Sequence, residues 1–256
     1  MDKIVFVSAV RNFGIYDRLV RNNPVNAGAR FVCFDNLKEN IGVASRYNSF
    51  LDSYDYSEPA WFVFCHEDWQ ALQDLRPKLR GADRNCLYGP VGMSSMTAGD
   101  SVCLYLRGFC RQCDRDGSRE TRVRGVFRSG RVDTFDCQCL IVHSSLVEKY
   151  GLRFDGQFTF DLYVEDFCIG AYERYGIVSK VLRVDCRHWS YGKISERFRG
   201  LLARLSAKCR GVYGCLVDWS PVGPPELLSG RRVLRFSSFF LNHPEKYWLI
   251  LWHGRR

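Results

Sequence analysis

Residues 61–68 read Trp61-Phe62-Val63-Phe64-Cys65-His66-Glu67-Asp68: five apolar positions, then an imidazole and two acids. An unbroken apolar run of that length suits a strand buried on both faces. Acids just past its C-terminal end fall where open α/β sheets bind ligands. Carboxylate oxygens there are the donors a hard divalent cation needs to hold a diphosphate. The same residues would also suit a solvated turn after a strand, so the neighbouring sequence has to separate the two readings.

Working outward, the Val-rich residues 3–10 predict a first parallel strand rather than a leader peptide. Phe31-Val32-Cys33-Phe34 predicts a second strand, ending in Asp35-Asn36. Helices are expected near 15–22, over 42–53 and from Gln70 to Leu79. Strands alternating with helices imply right-handed crossovers and a doubly wound sheet. The texture changes after Gly89-Pro90-Val91-Gly92, which lacks the Lys-Ser/Thr of a phosphate-binding P-loop and reads as a turn. Strands near 101–106 and 133–142 bracket an arginine-dense segment, 107–131, with eight arginines against three acids. Its four glycines suggest a mobile excursion or ribbon. A helix over 164–175 and a strand over 176–184 follow. From about 195 a basic amphipathic helix carries Phe198, Leu201, Leu202 and Leu205, before prolines and an aromatic tail.

At 256 residues and 46% hydrophobic, the chain can bury a full core, and global disorder is excluded. No apolar stretch approaches the roughly 20 residues of a membrane span. Twelve cysteines in a chain of this size read as thiols filling a core in a reducing cytoplasm, not as a disulfide framework. Cys110-x-x-Cys113 with Cys137-x-Cys139 offers a zinc alternative, although the second spacing is unusual for one. A net charge of +9 suits an anionic small ligand, nucleic acid or a membrane surface without choosing among them.

Several motifs stand in a telling order: the strand ending in Asp35-Asn36, the Asn40/Gly42/Ala44/Asn48 spacing, the strand running into His66-x-Asp68, then Asp133-Thr134-Phe135-Asp136, Phe154-Asp155 and Glu165-Asp166. Together they resemble the family 2-like glycosyltransferases with a GT-A fold, over about residues 3–192. The resemblance implies an α/β, doubly wound mixed sheet. Residues 1–92 would form the nucleotide-binding half and 93–192 the acceptor half, with 193–256 a C-terminal helical and aromatic extension. It further implies that Ala9, Arg11, Asp35, Asn36, Arg46, Asn48, His66 and Glu67 contact a nucleoside diphosphate sugar, with a uridine-linked donor expected. Asp68, His188 and His66 would hold a divalent cation, Mn2+ or Mg2+. Here the chain departs from the pattern, since His66 replaces the first acid of the D-x-D motif; imidazole still ligates manganese.

Asp166, with Glu165 beside it, takes the position of the general base that deprotonates the acceptor hydroxyl, with inversion at the sugar. A helix N-terminus favours such carboxylates whether or not they act in catalysis. The acceptor would be a glycan or lipid-linked glycan, as in surface-polysaccharide synthesis. The expected location is the cytoplasm, with the basic C-terminal helix in peripheral contact with the inner membrane face. No nucleic acid partner is expected. The rival readings are a non-catalytic basic module gripping anionic glycan or nucleic acid through 107–131, and a nucleotidyltransferase, which would need more glycines after the first strand.

Overall fold

The computed structural model describes residues 2–114, 119–126, 129–189, 195–216 and 220–236. The first half runs β1 (Lys3–Val10), α1 (Phe13–Tyr16), β2 (Arg30–Asp35), α2 (Val43–Ser53), β3 (Ala60–Cys65), β4 (Trp69–Ala71), α3 (Arg76–Leu79) and β5 (Leu87–Gly89). Then come β6 (Val91–Ala98), β7 (Ser101–Cys113), β8 (Glu120–Arg124), β9 (Gly130–Val132), β10 (Thr134–Phe135) and β11 (Cys139–His143). The rest comprises α4 (Ser144–Tyr150), α5 (Tyr163–Tyr175), β12 (Ser179–Val181), β13 (Cys186–His188), α6 (Glu196–Lys208), β14 (Tyr213–Cys215), β15 (Ser220–Val222), α7 (Pro225–Leu228) and β16 (Arg232–Phe236).

The architecture is mixed α/β. A seven-stranded sheet has the order β2-β1-β3-β11-β5-β12-β9. Its first three strands are parallel, with Phe6 beside both Phe31 and Val63, and β11 joins antiparallel to β3. A second sheet orders β10-β6-β7-β13-β4, with β8 and β16 also pairing with β7.

Strand β3 is buried at every position, as its apolar run requires. Alternation sends Phe62 and Phe64 into one core and Trp61, Val63 and Cys65 into the other. Tyr47 and Phe50 of α2 close over the first pair, with Tyr47–Phe64 ring centroids 4.7 Å apart and Phe50–Phe62 4.9 Å apart. Each such buried aromatic contributes on the order of 2–3 kcal/mol, and these fix the strand that carries His66 and Asp68.

One expected helix changes. The segment from Gln70 to Leu79 is not one helix: Trp69–Ala71 pairs as an edge strand with β13, and only Arg76–Leu79 is helical. Trp69 and Ala71 bury themselves by strand alternation, and Pro77 suits only the first turn of the short helix that follows. The arginine-dense segment is largely a ribbon, because β7 continues to Cys113 and β8 pairs back along it; residues 115–118 and 127–128 lie outside the described residues. The described residues of 195–236 are woven into the same fold: α6 buries Phe198 and Leu205, and β16 pairs with β7. The aromatic tail, 237–256, lies outside the described residues. Among the described residues no helix is long and apolar enough to cross a membrane.

All twelve cysteines are unpaired, and eleven are buried. Cys110 donates to Gln138 and Cys137 to Glu165. Among the described residues the four cysteines weighed for zinc form no metal-sized group, and one other cluster does.

Candidate metal centre

That cluster is His66, Asp68 and His188. His66 and Asp68 follow the C-terminal end of β3, and His188 ends β13, 122 residues away in sequence from His66. Two backbone bonds seat the loop, His66 N–H to the Gln138 carbonyl at 3.1 Å and Trp189 N–H to the Asp68 carbonyl at 3.1 Å. His66 Nδ1 lies 3.4 Å from His188 Nε2 and 3.9 Å from Asp68 Oδ1, and His188 Nε2 lies 3.4 Å from the same oxygen. Ligands about 2.1 Å from a shared cation sit roughly 3–3.5 Å apart, so these spacings are close to a coordination shell.

The outer nitrogens of both rings are engaged. His188 Nδ1 is 3.2 Å from Gln112 Oε1, an acceptor that fixes the proton on Nδ1. His66 Nε2 is 2.9 Å from the Tyr163 hydroxyl, which donates its own proton to the Cys137 carbonyl at 2.8 Å. The Tyr163 oxygen therefore accepts from His66 Nε2–H. The inner nitrogens, His66 Nδ1 and His188 Nε2, then face each other and Asp68, and as metal ligands both rings would be neutral with a lone pair directed inward. Such outer partners are how proteins orient metal-binding imidazoles. Asp68 Oδ1 is buried, with His188 Nε2 at 3.4 Å and His66 Nδ1 at 3.9 Å beside it.

Electrostatics agree. Burial pushes the Asp68 carboxyl up, but hydrogen bonding and charge from His188, with charge from His66, outweigh it and hold it at about 2. Burial pushes His188 down, yet Asp68 overrides it and raises the imidazole to about 9. Burial lowers His66, aided by the charge of His188 against that of Asp68. In the cation-free protein a proton on His188 occupies the role of positive centre.

The remaining sequence-derived residues are placed as follows. Glu67 Oε2 accepts from the backbone N–H groups of Arg11 (2.5 Å) and Asn12 (2.9 Å), so it braces the loop after β1. Ala9 is half-buried near the end of that strand. After β2, Arg46 donates to Asn36 Oδ1, to the Asp35 carbonyl and to Glu39, while Asn36 donates to the Ile41 carbonyl. These bonds make a stiff polar rim beside the ends of β1 and β2. Asn48 instead clamps Phe154, accepting from its N–H and donating to its carbonyl. Gly42 lies against Thr159, where an added Cβ would come within 2.9 Å of that side chain. The Asn40/Gly42/Ala44/Asn48 spacing is thus a packing seam that docks α2 on residues 154–159, and Asn48 serves that seam.

Glu165 is fully buried, facing the Cys137 and Cys215 thiols, and burial raises its carboxyl to about 8. Asp166 is held by Lys208 at 2.5 Å, and Lys208 also grips Asp155. It lines a cavity of about 440 Å³ with Arg153, Asp155, Glu173, Arg174 and Lys208, a lining that does not include the histidine cluster. The geometry is helical: Tyr163 at the start of α5 reaches His66, and Asp166 sits about one turn further along.

Sequence reading missed Tyr163, Gln112 and Asp161. Asp136 and Asp161 are near enough for their charges to raise the proton affinity of His66. Asp161 is held by Arg197 at 2.6 Å and leaves 31% of its side chain exposed. The next residue, Leu162, is buried with φ 62°, a left-handed conformation unusual for a branched side chain. Strain of this kind gathers at functional sites, and here it turns Asp161 and Tyr163 towards the cluster.

No protein-family model matches the chain, and no curated protein matches it. Among solved structures, GalNAc-T7 with UDP, GalNAc and Mn2+ is similar over 74% of this chain and 44% of its own, at TM-score 0.49 and 9% identity. The present chain therefore spans less than half of that protein. A197 from STIV is similar over 74% of this chain and 86% of its own, at TM-score 0.39 and 14% identity.

Proposed function

We propose that this chain is a metal-dependent glycosyltransferase that moves a sugar from a nucleoside diphosphate sugar, uridine-linked, to a hydroxyl of a glycan or glycoconjugate. The observation that carries the reading is the pair of histidines whose outer nitrogens are engaged and whose inner nitrogens converge on a buried Asp68 oxygen at the end of a core strand. His66, Asp68 and His188 would hold a divalent cation, and two imidazoles in the donor set favour manganese over magnesium. When bound, the cation offsets the charge that develops on a departing diphosphate.

The protein's own groups supply the rest. Arg46, Asp35 and Asn36 form the rim on which the nucleotide rests, and the loop carrying Arg11, braced by Glu67, closes beside it. Asp161 is the carboxylate we assign to take the acceptor proton, because it is partly exposed and lies near enough to His66 for its charge to be felt there. Asp166 and Lys208 then shape the neighbouring cavity. The family resemblance of the motif order supports direct, inverting attack. Twelve unpaired thiols fit a reducing compartment.

The test is turnover of nucleoside diphosphate sugars with Mn2+ under anaerobic conditions, read as release of the nucleoside diphosphate and product stereochemistry by NMR. Two histidines and a carboxylate also serve oxygen-dependent iron enzymes, and a transferase requires no oxygen. Release that needs Mn2+ and disappears in Asp68→Asn is expected. Failure of every donor with Mn2+ loaded would overturn the assignment.

A further inference from the structure

On the ribbon behind the metal centre, strand alternation builds a second, oppositely charged surface. Arg111 pairs with Arg122 across β7 and β8, Phe109 with Arg124, and Arg187 of β13 lies beside Arg111. Residues paired in this way share a face, while Cys110, Gln112, Cys186 and His188 take the other. Beside this face lies a cavity of about 380 Å³ lined by Lys78, Arg111, Arg122, Arg124 and Arg183, with Asp185 as the single acid among its lining residues. Pro90, Phe109 and Val184 give it apolar walls.

Three of these cations, Lys78, Arg122 and Arg183, make no ion pair among the described residues. Glu120 bridges Arg111 and Arg187 and holds those two guanidiniums in place. Among the described residues, no carboxylate lies within ion-pairing distance of the exposed side chains of Lys78, Arg122 or Arg183. Like charges converging without counter-ions repel, and a concave wall focuses their field. Planar guanidiniums around a cavity suit bidentate grip of phosphate oxygens. A site of this volume holds a compact ligand, not the extended phosphate row of a duplex.

We propose that this groove binds the diphosphate group of a small ligand, independently of the metal centre on the opposite face. The diphosphate could be soluble or the headgroup of a lipid diphosphate, and the same chemistry recognises both.

The test is calorimetric titration of the full chain with inorganic pyrophosphate in excess chelator, so that cation-mediated binding at the histidine cluster is silent. Arg122→Glu combined with Arg183→Glu should weaken pyrophosphate by roughly a hundredfold, about tenfold for each lost charge-assisted contact. Both residues are exposed, and the thermal midpoint of the double variant checks that it folds. Asp68→Asn should leave this affinity unchanged. Vesicles of phosphatidylcholine with a polyprenyl diphosphate, against phosphatidylcholine alone, separate the sources. Retention that pyrophosphate competes away points to a lipid source, and binding of pyrophosphate without retention points to a soluble one; both uphold the groove. Equal affinity in wild type and the double variant, or no pyrophosphate binding in chelator, would overturn it.

Discussion

The two faces of the small sheet formed by β4, β13, β7 and β8 differ completely in character, although neighbouring residues supply both. Inward, His188 meets Gln112, Trp69 is fully buried, and two imidazole nitrogens and a carboxylate oxygen converge. Outward, Arg187, Arg111 and Arg122 crowd together with Glu120 as a bridge. One face gathers cation donors and the other gathers cations. The lesson is that a period of two residues can put two complementary electrostatic demands on opposite sides of a single strand.

The largest expected effect breaks the inner face alone. Asp68→Asn removes the only anionic donor and should weaken Mn2+ by at least about a hundredfold in calorimetry, with pyrophosphate binding at the outer face intact. Next, Gln112→Ala should cost about ten- to a hundredfold in Mn2+ affinity, because His188 loses the acceptor that sets its tautomer. Arg187→Gln, one residue from His188 but on the other face, should change Mn2+ affinity by less than about twofold. A comparable loss in both variants would mean that the faces are not separable.

Asp161→Asn should lower turnover by roughly two to four orders of magnitude while leaving Mn2+ binding near wild type. If Asp166→Asn has that effect and Asp161→Asn does not, the base is the residue held by Lys208.

A smaller effect concerns stability and pH. Glu165 releases its proton near 4.5 when unfolded and at about 8 when folded, because burial penalises its charge. The folded state therefore binds the extra proton between those values. Its contribution is complete below pH 4.5 and declines as pH rises to about 8, by at most about 1.4 kcal/mol per pH unit. Glu165→Gln has no such proton, so its denaturation midpoint should fall less across that window than that of the wild type. Parallel curves would show that Glu165 is ionised in the fold.

Much of this was legible in the sequence. The apolar run 61–65 announced a strand buried on both sides, and the resemblance in motif order picked out His66, Asp68 and His188 as candidate donors, which the fold brings into one cluster. The partners that orient them were not. Gln112 sits in an arginine-dense stretch, and its meeting with His188 depends on the register of a parallel pair between β7 and β13. Tyr163 looks like any aromatic residue at the start of an apolar helix, and its reach to His66 depends on the left-handed backbone at Leu162. Glu165-Asp166 stood out by composition, yet helix rotation turns the first into the core and the second to Lys208. Asn48 matched a nucleotide-contact position and is occupied with the main chain of Phe154.

The most direct test of the inward-facing lone pairs is a Mn2+ titration followed by electron paramagnetic resonance, comparing wild type with Asp68→Asn. One bound ion per chain in the wild type and none in the variant at the same concentrations is the expected result. Equal stoichiometry and affinity in both proteins would contradict the metal centre.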